Sequence, residues 1–144
     1  MQGGAKIYAV IDTNVVVSSL FSADGTSHPA IVIQAILDGA ITPLYNEDIL
    51  MEYQEVLSRP KFPFSAARVD SIIGAFRDFG LDTQRTEVTD VHFPDPDDIV
   101  FYEVKMSVDD AFLVTGNIRH FPRTPFVVTP AEMVEILKER GLII

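Results

Sequence analysis

The amino-acid sequence predicts an α/β fold in which strands alternate with helices and pair as a parallel sheet. Residues 7–11, IYAVI, form an apolar, β-branched and aromatic run that is typical of a strand buried on both faces. Residues 111–115, AFLVT, form the clearest later strand. Between and after these strands, polar residues that cap helices precede apolar residues at helical spacing.

Composition limits what kind of protein this can be. The chain has 144 residues and 47% hydrophobic content, enough for one sizeable core, and we predict a single domain over residues 1–144. No apolar run approaches the length of a membrane span, and residues 1–6 lack the apolar core of a signal peptide. The absence of cysteine excludes disulfides and thiolate metal sites and fits a cytoplasmic location.

The charge of the chain is strongly acidic. Lys and Arg total 11 against 21 Asp and Glu, which gives a formal net charge of −10. This balance argues against a general nucleic-acid coat protein, which needs a basic face, but it allows an enzyme that touches a few phosphates. An acidic soluble surface accounts for most of the excess, and a cluster of carboxylates around a divalent cation would add to it.

The remaining elements follow from caps, breakers and periodicity. Residues 21–27 read as a loop, and Ser27 with Pro29 begins a largely buried helix that Gly39 ends. Asn46 begins the next helix, and residues 59–61 close it. We further predict short strands at 41–45, 83–88 and 126–128, a helix from Ser65 to Gly80, a helix opened by residues 95–98, and a terminal helix from Thr129 through Arg140.

The first strand ends on three oxygen-bearing side chains, Asp12, Thr13 and Asn14. In an open α/β sheet, the carboxyl ends of the strands are where ligands bind. Asp and Asn are also common at turns and helix starts, so Asp12 alone supports a ligand site and a helix cap about equally.

Further polar oxygens occupy comparable places. Glu52 lies at the edge of the apolar stripe formed by residues 49, 50, 53, 56 and 57, so it leans toward the interior. Asp95 fits an N-cap and Asp98 the third position of a capping box, while Asn117 follows the strand at 111–115. Taken singly, these residues could be caps, a solvated rim and a turn. Together they would lie at one edge of the sheet, where carboxylates suit Mg²⁺ or Mn²⁺.

Four motifs carry a family resemblance: IDTN at 11–14, NEDILMEYQEVL at 46–57, DPDD at 95–98 and LVTGNIRHFP at 113–122. In this order, from about Ile7 to Pro130, the chain resembles a PIN domain (PilT N-terminal). It is most similar to the VapC-like ribonuclease toxins of prokaryotic toxin–antitoxin systems. The resemblance implies a three-layer α/β/α fold with a parallel five-stranded sheet. It also implies a ribonuclease that depends on Mg²⁺ or Mn²⁺.

The resemblance also assigns roles by motif position. It implies that Asp12, Glu52 and Asp98 are the first three acids and metal ligands, with Asp95 as the alternative third acid. Thr13, Asn14 and Thr115 would support them, and the partners would be RNA, an antitoxin protein and a second copy of the chain. Asn117 would be the fourth catalytic residue, and here the chain departs from the family, because many members have Asp. Its amide oxygen can still orient a water but brings no charge, which puts tight binding of a second metal in doubt.

Other residues near this edge were weighed in the same way. The basic residues Arg59, Lys61, Arg119 and Arg123 are expected to be solvated, yet they could contact RNA phosphates. His120 is expected to be a packing or turn residue, because the sequence offers it no catalytic partner.

Two other functions remain as alternatives. One is a PIN-fold binding protein whose activity has faded with Asn117. The other is a phosphoryl-accepting domain, which is disfavoured because no Asp stands two residues after Asp12.

Overall fold

The computed structural model describes residues 6–144, which form a parallel five-stranded sheet between layers of helices. The strands are β1 (Ile7–Ile11), β2 (Ile41–Tyr45), β3 (Leu81–Asp82), β4 (Phe112–Val114) and β5 (Val127–Val128). The helices are α1 (Thr13–Leu20), α2 (His28–Leu37), α3 (Glu47–Leu57), α4 (Ala66–Phe79), α5 (Ile99–Met106) and α6 (Pro130–Glu139). Single 3-10 turns occur at Pro96–Asp98 and Ile118–His120. The predicted three-layer α/β/α architecture is confirmed.

Strand β1 lies at the centre of the sheet, whose strand order is β3-β2-β1-β4-β5. It pairs with β2 on one side and β4 on the other, and Ala9, Val10 and Ile11 are fully buried. The backbone N–H of Asp12 donates to the carbonyl of Val114, which carries the pairing with β4 one residue beyond the strand. The tips of β1 and β4 therefore lie side by side at the carboxyl edge of the sheet.

Helix α1 begins directly after β1, in a segment to which the sequence patterns assign no element. Asp12 is its N-cap and accepts a hydrogen bond from the backbone N–H of Thr13. Residues 15–17 are three consecutive valines, which favour strand over helix by intrinsic propensity. Burial of Val15 and Val16 in the core stabilises the helix despite that preference.

The predicted edge strand at 83–88 is wrong. Strand β3 is Leu81–Asp82. The segment after it leaves the sheet and packs against α5, because it forms hydrogen bonds there with the buried Glu103. The Glu103 carboxylate accepts hydrogen bonds from the backbone N–H of Val88 and from Arg85, and its carbonyl accepts one from Thr86. These bonds replace the sheet pairing that a strand would have made.

The predicted capping box at residues 95–98 is also wrong in part. Asp95 does cap, but its side chain accepts from the N–H of Asp97 within a 3-10 turn that follows Pro96. The carboxylate of Asp98 makes no capping bond at the start of α5. It is therefore available for contacts with other parts of the chain.

The other helix starts agree with the sequence. The side chains of Ser27, Asn46 and Ser65 each accept a capping hydrogen bond, and Thr129 and Glu132 form a complete capping box. The later strands are shorter than predicted, since only 112–114 and 127–128 pair. In the described part of the chain, no helix has both the length and the apolar character needed to cross a membrane.

Candidate active site

Asp12 is held at the tip of β1 by a set of short hydrogen bonds. It is 5% exposed, and Oδ1 accepts from the N–H of Thr13 at 2.8 Å. Oδ2 accepts from Thr115 Oγ1 at 2.8 Å and from Asn14 Nδ2 at 3.2 Å. Burial raises the pKa of the Asp12 carboxyl, and the hydrogen bonds from Thr115 and Thr13 oppose that rise. Asp12 is thus both a helix cap and a fixed buried carboxylate.

The tips of β1 and β4 are tied together by polar contacts around Asp12. Thr115 is fully buried, and its hydroxyl also accepts a hydrogen bond from the N–H of Asn117 at 2.9 Å. The N–H of Gly116 donates to Asn14 Oδ1 at 3.1 Å. A Cβ on Gly116 would lie 3.4 Å from that Asn14 oxygen, at van der Waals contact. These bonds fix the orientation of Asp12 without using all of its acceptor capacity.

Asp98 is the second buried carboxylate at this edge. It is 9% exposed, and its Oδ2 has no hydrogen-bond partner among the described residues. His120 Nδ1 lies 3.2 Å from that oxygen, close enough for an ion pair when the imidazole is protonated. Burial first, and then the negative charges of Asp12 and Asp95, raise the pKa of Asp98 to about 6, which a charge on His120 opposes. Asp98 therefore lies within the electrostatic field of Asp12.

Glu52 extends the acidic region from the side of α3. It is half-buried, as its place at the edge of the apolar stripe predicts. Burial raises its pKa, with contributions from the charges of Asp97, Glu55 and, more weakly, Asp12, while Arg59 acts in the opposite direction. Glu52 is thus within electrostatic reach of Asp12, although no hydrogen bond joins the two side chains.

A tyrosine anchors α3 beneath the site. The hydroxyl of Tyr53, which is fully buried, donates a hydrogen bond to the carbonyl of Ile11 at the end of β1. This bond joins the residue after Glu52 to the residue before Asp12. It sets the distance between the helix and the strand tip, whereas the helical spacing predicts only that Tyr53 belongs to the apolar stripe.

The remaining predicted residues lie further out. Asn117 is exposed, and only its backbone N–H is bonded toward the site. Asp95 is an exposed cap. Arg59 pairs with Glu55 at 2.8 Å. Exposed positions are also occupied by Lys61, Arg119 and Arg123, for which the described part of the chain shows no carboxylate partner within 4.0 Å.

His120 was expected to be a packing or turn residue, and it does lie in a turn, but its ring also contacts a carboxylate. It ends the 3-10 turn that begins after Asn117, and this turn brings its ring against Asp98. The only signal in the sequence was its spacing, three residues after the polar residue at the tip of β4.

In contrast, Asp109 and Asp110 line a cavity of about 700 Å³ at the opposite edge of the sheet, as their place before β4 predicts.

The chemistry of these side chains was compared with what a divalent cation requires. No group of three Asp, Glu, His or Cys side chains in residues 6–144 is close enough to hold a metal ion as it stands. However, Asp98 presents a buried oxygen with His120 Nδ1 at 3.2 Å, and the charge of Asp12 acts on the same carboxyl. Oxygen ligands of this kind suit Mg²⁺ or Mn²⁺, which keep several waters. The donor set therefore fits a cation bound through these two carboxylates.

Comparison with known proteins gives a match to one family model. A search of curated proteins and a search of solved structures found no match. A family model described as PIN domain matches residues 8–119, which include β1, α3, the start of α5 and the tip of β4. PIN domains are typically metal-dependent nucleases that bind nucleic acid. The match covers well over half of the chain, and the protein belongs to the PIN domain family.

Proposed function

We propose that this protein is a metal-dependent endoribonuclease that hydrolyses RNA phosphodiesters with an activated water. The observation that carries the proposal is the buried pair of Asp12 and Asp98, in which the charge of Asp12 raises the pKa of Asp98 and His120 Nδ1 lies 3.2 Å from Asp98 Oδ2. Two buried carboxylates that repel each other are costly in the fold unless a cation neutralises them. A PIN domain that retains such a pair at the carboxyl edge of its sheet is best explained as a nuclease.

In this proposal, Asp12 and Asp98 hold the cation directly, and Glu52 completes the acidic set. When bound, Mg²⁺ or Mn²⁺ lowers the pKa of a bound water and neutralises charge on the phosphate. Thr13, Asn14, Thr115 and Asn117 fix the orientation of the carboxylates and of nearby water, and Asp95 shapes the turn that presents Asp98. Arg59, Lys61, Arg119 and Arg123 would hold RNA phosphates around the acids.

We further propose a biological setting from the resemblance of the four motifs to toxin components. The protein would act in the cytoplasm as the toxin of a toxin–antitoxin pair. An antitoxin protein would block the acidic edge, and the toxin would form a homodimer or a higher oligomer. Co-expression with the product of the neighbouring gene, followed by size-exclusion chromatography with light scattering, tests this setting. Separate elution of the two proteins would exclude a stable pair.

The experiment for the nuclease proposal is cleavage of a labelled single-stranded RNA by the purified protein. We expect cleavage with Mn²⁺ or Mg²⁺, none with EDTA, and none by Asp12→Asn. Asp70→Asn is the matched control, because Asp70 is an exposed acid on α4 for which no polar contact is found among the described residues. Cleavage that is unchanged by EDTA and by Asp12→Asn would show that a contaminating enzyme is responsible and would overturn the proposal.

A second candidate is a PIN-fold binding protein without catalysis. It is favoured by Asn117, whose amide adds no charge, and by the absence of three convergent ligands in residues 6–144. Binding of Mn²⁺ and of RNA, with no cleavage at any divalent metal concentration, would select it. Restoration of cleavage by Asn117→Asp would identify the lost charge as the cause.

A further inference from the structure

Three phenylalanine rings form an exposed cluster at the far end of α1. Phe21 follows α1 directly and is 56% exposed, while Phe62 and Phe64 lie in the loop between α3 and α4 and are half-buried. The Phe21 ring centroid is 5.0 Å from that of Phe64 and 6.0 Å from that of Phe62. Phe62 and Phe64 stack on each other at 5.5 Å, nearly parallel. We call these three rings the aromatic platform.

Two cationic side chains lie against the platform. Lys61 Nζ lies 5.2 Å from the centre of the Phe62 ring, and the Arg68 guanidinium carbon lies 5.5 Å from that of Phe64. Arg68 also donates to the carbonyl of Leu20 at 2.7 Å, which fixes the residue before Phe21 against the start of α4. Neither Lys61 nor Arg68 has a carboxylate within 4.0 Å in the described part of the chain.

The stretch that carries two of these rings is basic in an acidic chain, although its Arg59 pairs with Glu55 just outside it. Residues 56–69 contain three of the 11 Lys and Arg residues and no Asp or Glu, in a protein with a net charge of −10. An apolar protein partner would leave the two unpaired cations at the rings without a role. An RNA strand would use them, because its phosphates need cations while its bases need aromatic faces. Charge complementarity therefore selects RNA as the occupant.

The platform also lies at a distance that one RNA strand can span from the acids. Helix α1 connects the two places, since Asp12 caps its start and Phe21 its end. The separation is about 13 Å along the helix axis, at about 1.5 Å per residue. Helix α3 connects them a second time, from Glu52 to the loop that carries Phe62. Arg59, at the end of α3, lies between the acids and the platform. It is close enough to Glu52 for its charge to lower the pKa of that carboxyl.

We propose that the aromatic platform binds an unpaired base of the RNA, with Phe21 as the stacking surface and Lys61 and Arg68 at the adjoining phosphates. This inference rests on the proposed ribonuclease function and deepens it, because it restricts the substrate to RNA with unpaired bases at a fixed distance from the acids. Bases in a duplex are stacked on each other and cannot lie against Phe21.

The test is binding of a fluorescein-labelled oligouridine to the full chain by anisotropy, at low salt and in EDTA so that no cleavage occurs. We expect Phe21→Ala to weaken binding by about 10-fold, within the range measured for loss of one stacked base. Phe79→Ala is the matched control, because Phe79 is also exposed, at 46%, but lies at the end of α4 outside the platform. It should bind as the wild type does. A duplex RNA should bind more weakly and should not respond to Phe21→Ala.

A second readout separates stacking from charge. RNA with 2-aminopurine in place of one base should change its fluorescence on binding to the wild type and to Lys61→Gln, but not on binding to Phe21→Ala. Equal affinities of the wild type and Phe21→Ala, or no binding by the wild type, would overturn the platform. A change of oligomeric state in Phe21→Ala with unchanged RNA affinity would make the cluster a protein interface instead. Cleavage is measured separately, so failure of the nuclease proposal leaves this result readable.

Discussion

Replacing Asp98 by Asn should stabilise the metal-free protein while abolishing its response to metal. Burial and the charge of Asp12 raise the pKa of Asp98 from 3.8 to about 6. Asn keeps the shape of the side chain and removes the charge that is costly in the fold. The same charge is what a divalent cation would use, so the two effects should appear together.

The sign and the size of the expected change in the free energy of unfolding follow from the difference between the pKa values of Asp98 in the folded and unfolded states. Between pH 4 and 6 the folded state holds the Asp98 proton while the unfolded state releases it, so stability falls as the pH rises through this window. A shift from 3.8 to about 6 corresponds to at most about 3 kcal/mol above pH 6. Solvent and His120 reach one side of the carboxylate, so we expect Asp98→Asn to gain about 1–2 kcal/mol at pH 7.5. The gain should shrink to about half near pH 5.

The assay is urea unfolding in EDTA at pH 5 and pH 7.5, for the wild type, Asp98→Asn and the exposed-acid control Asp70→Asn. Repeating it with Mn²⁺ should raise the midpoint of the wild type and of Asp70→Asn but not of Asp98→Asn. If Asp98→Asn were less stable than the wild type at pH 7.5 in EDTA, Asp98 would be a satisfied structural carboxylate. The reasoning from its burial and the charge of Asp12 would then fail.

Three further outcomes are expected. Thr115→Val removes the hydroxyl that donates to Asp12 Oδ2, so the pKa of Asp12 should rise further and unfolding at pH 7.5 should cost about 1–3 kcal/mol less free energy. His120→Gln removes a charge that lowers the pKa of Asp98, so that pKa should rise, as followed by NMR titration of the carboxyl carbon. Asn117→Asp adds a charge beside the cation and should tighten Mn²⁺ binding in calorimetry, with cleavage of single-stranded RNA level or increased.

Much of the sheet and its edge could be predicted from the sequence, because buried parallel strands are continuous apolar runs and their tips carry polar residues. The strand ending at Asp12 and the helix carrying Glu52 follow from spacing alone. The helix after Asp12 could not be predicted, because local propensity at Val15 and Val16 opposes it and only packing of the finished core stabilises it.

The errors concern side chains that act over long distances in the sequence. Glu103 draws the segment at 85–88 away from the sheet, and no local pattern marks a buried glutamate in α5 as its acceptor. His120 reaches Asp98 only through the turn after β4. A short 3-10 turn at Pro96–Asp98 replaces the expected capping box. The Asp98 carboxylate therefore makes no capping bond and is available to the site. Such contacts depend on the tertiary fold, which periodicity does not encode.

If Asp12 and Asp98 share one divalent cation, calorimetric titration with Mn²⁺ at pH 7.5 shows it most directly. The wild type should bind Mn²⁺ at this pH with almost no release of protons, and at pH 6, where about half of Asp98 is protonated, the same binding should release protons. Asp12→Asn and Asp98→Asn should each lose the binding heat, and Asp70→Asn should retain it. Equal binding by all four proteins would place the metal elsewhere and contradict a shared site.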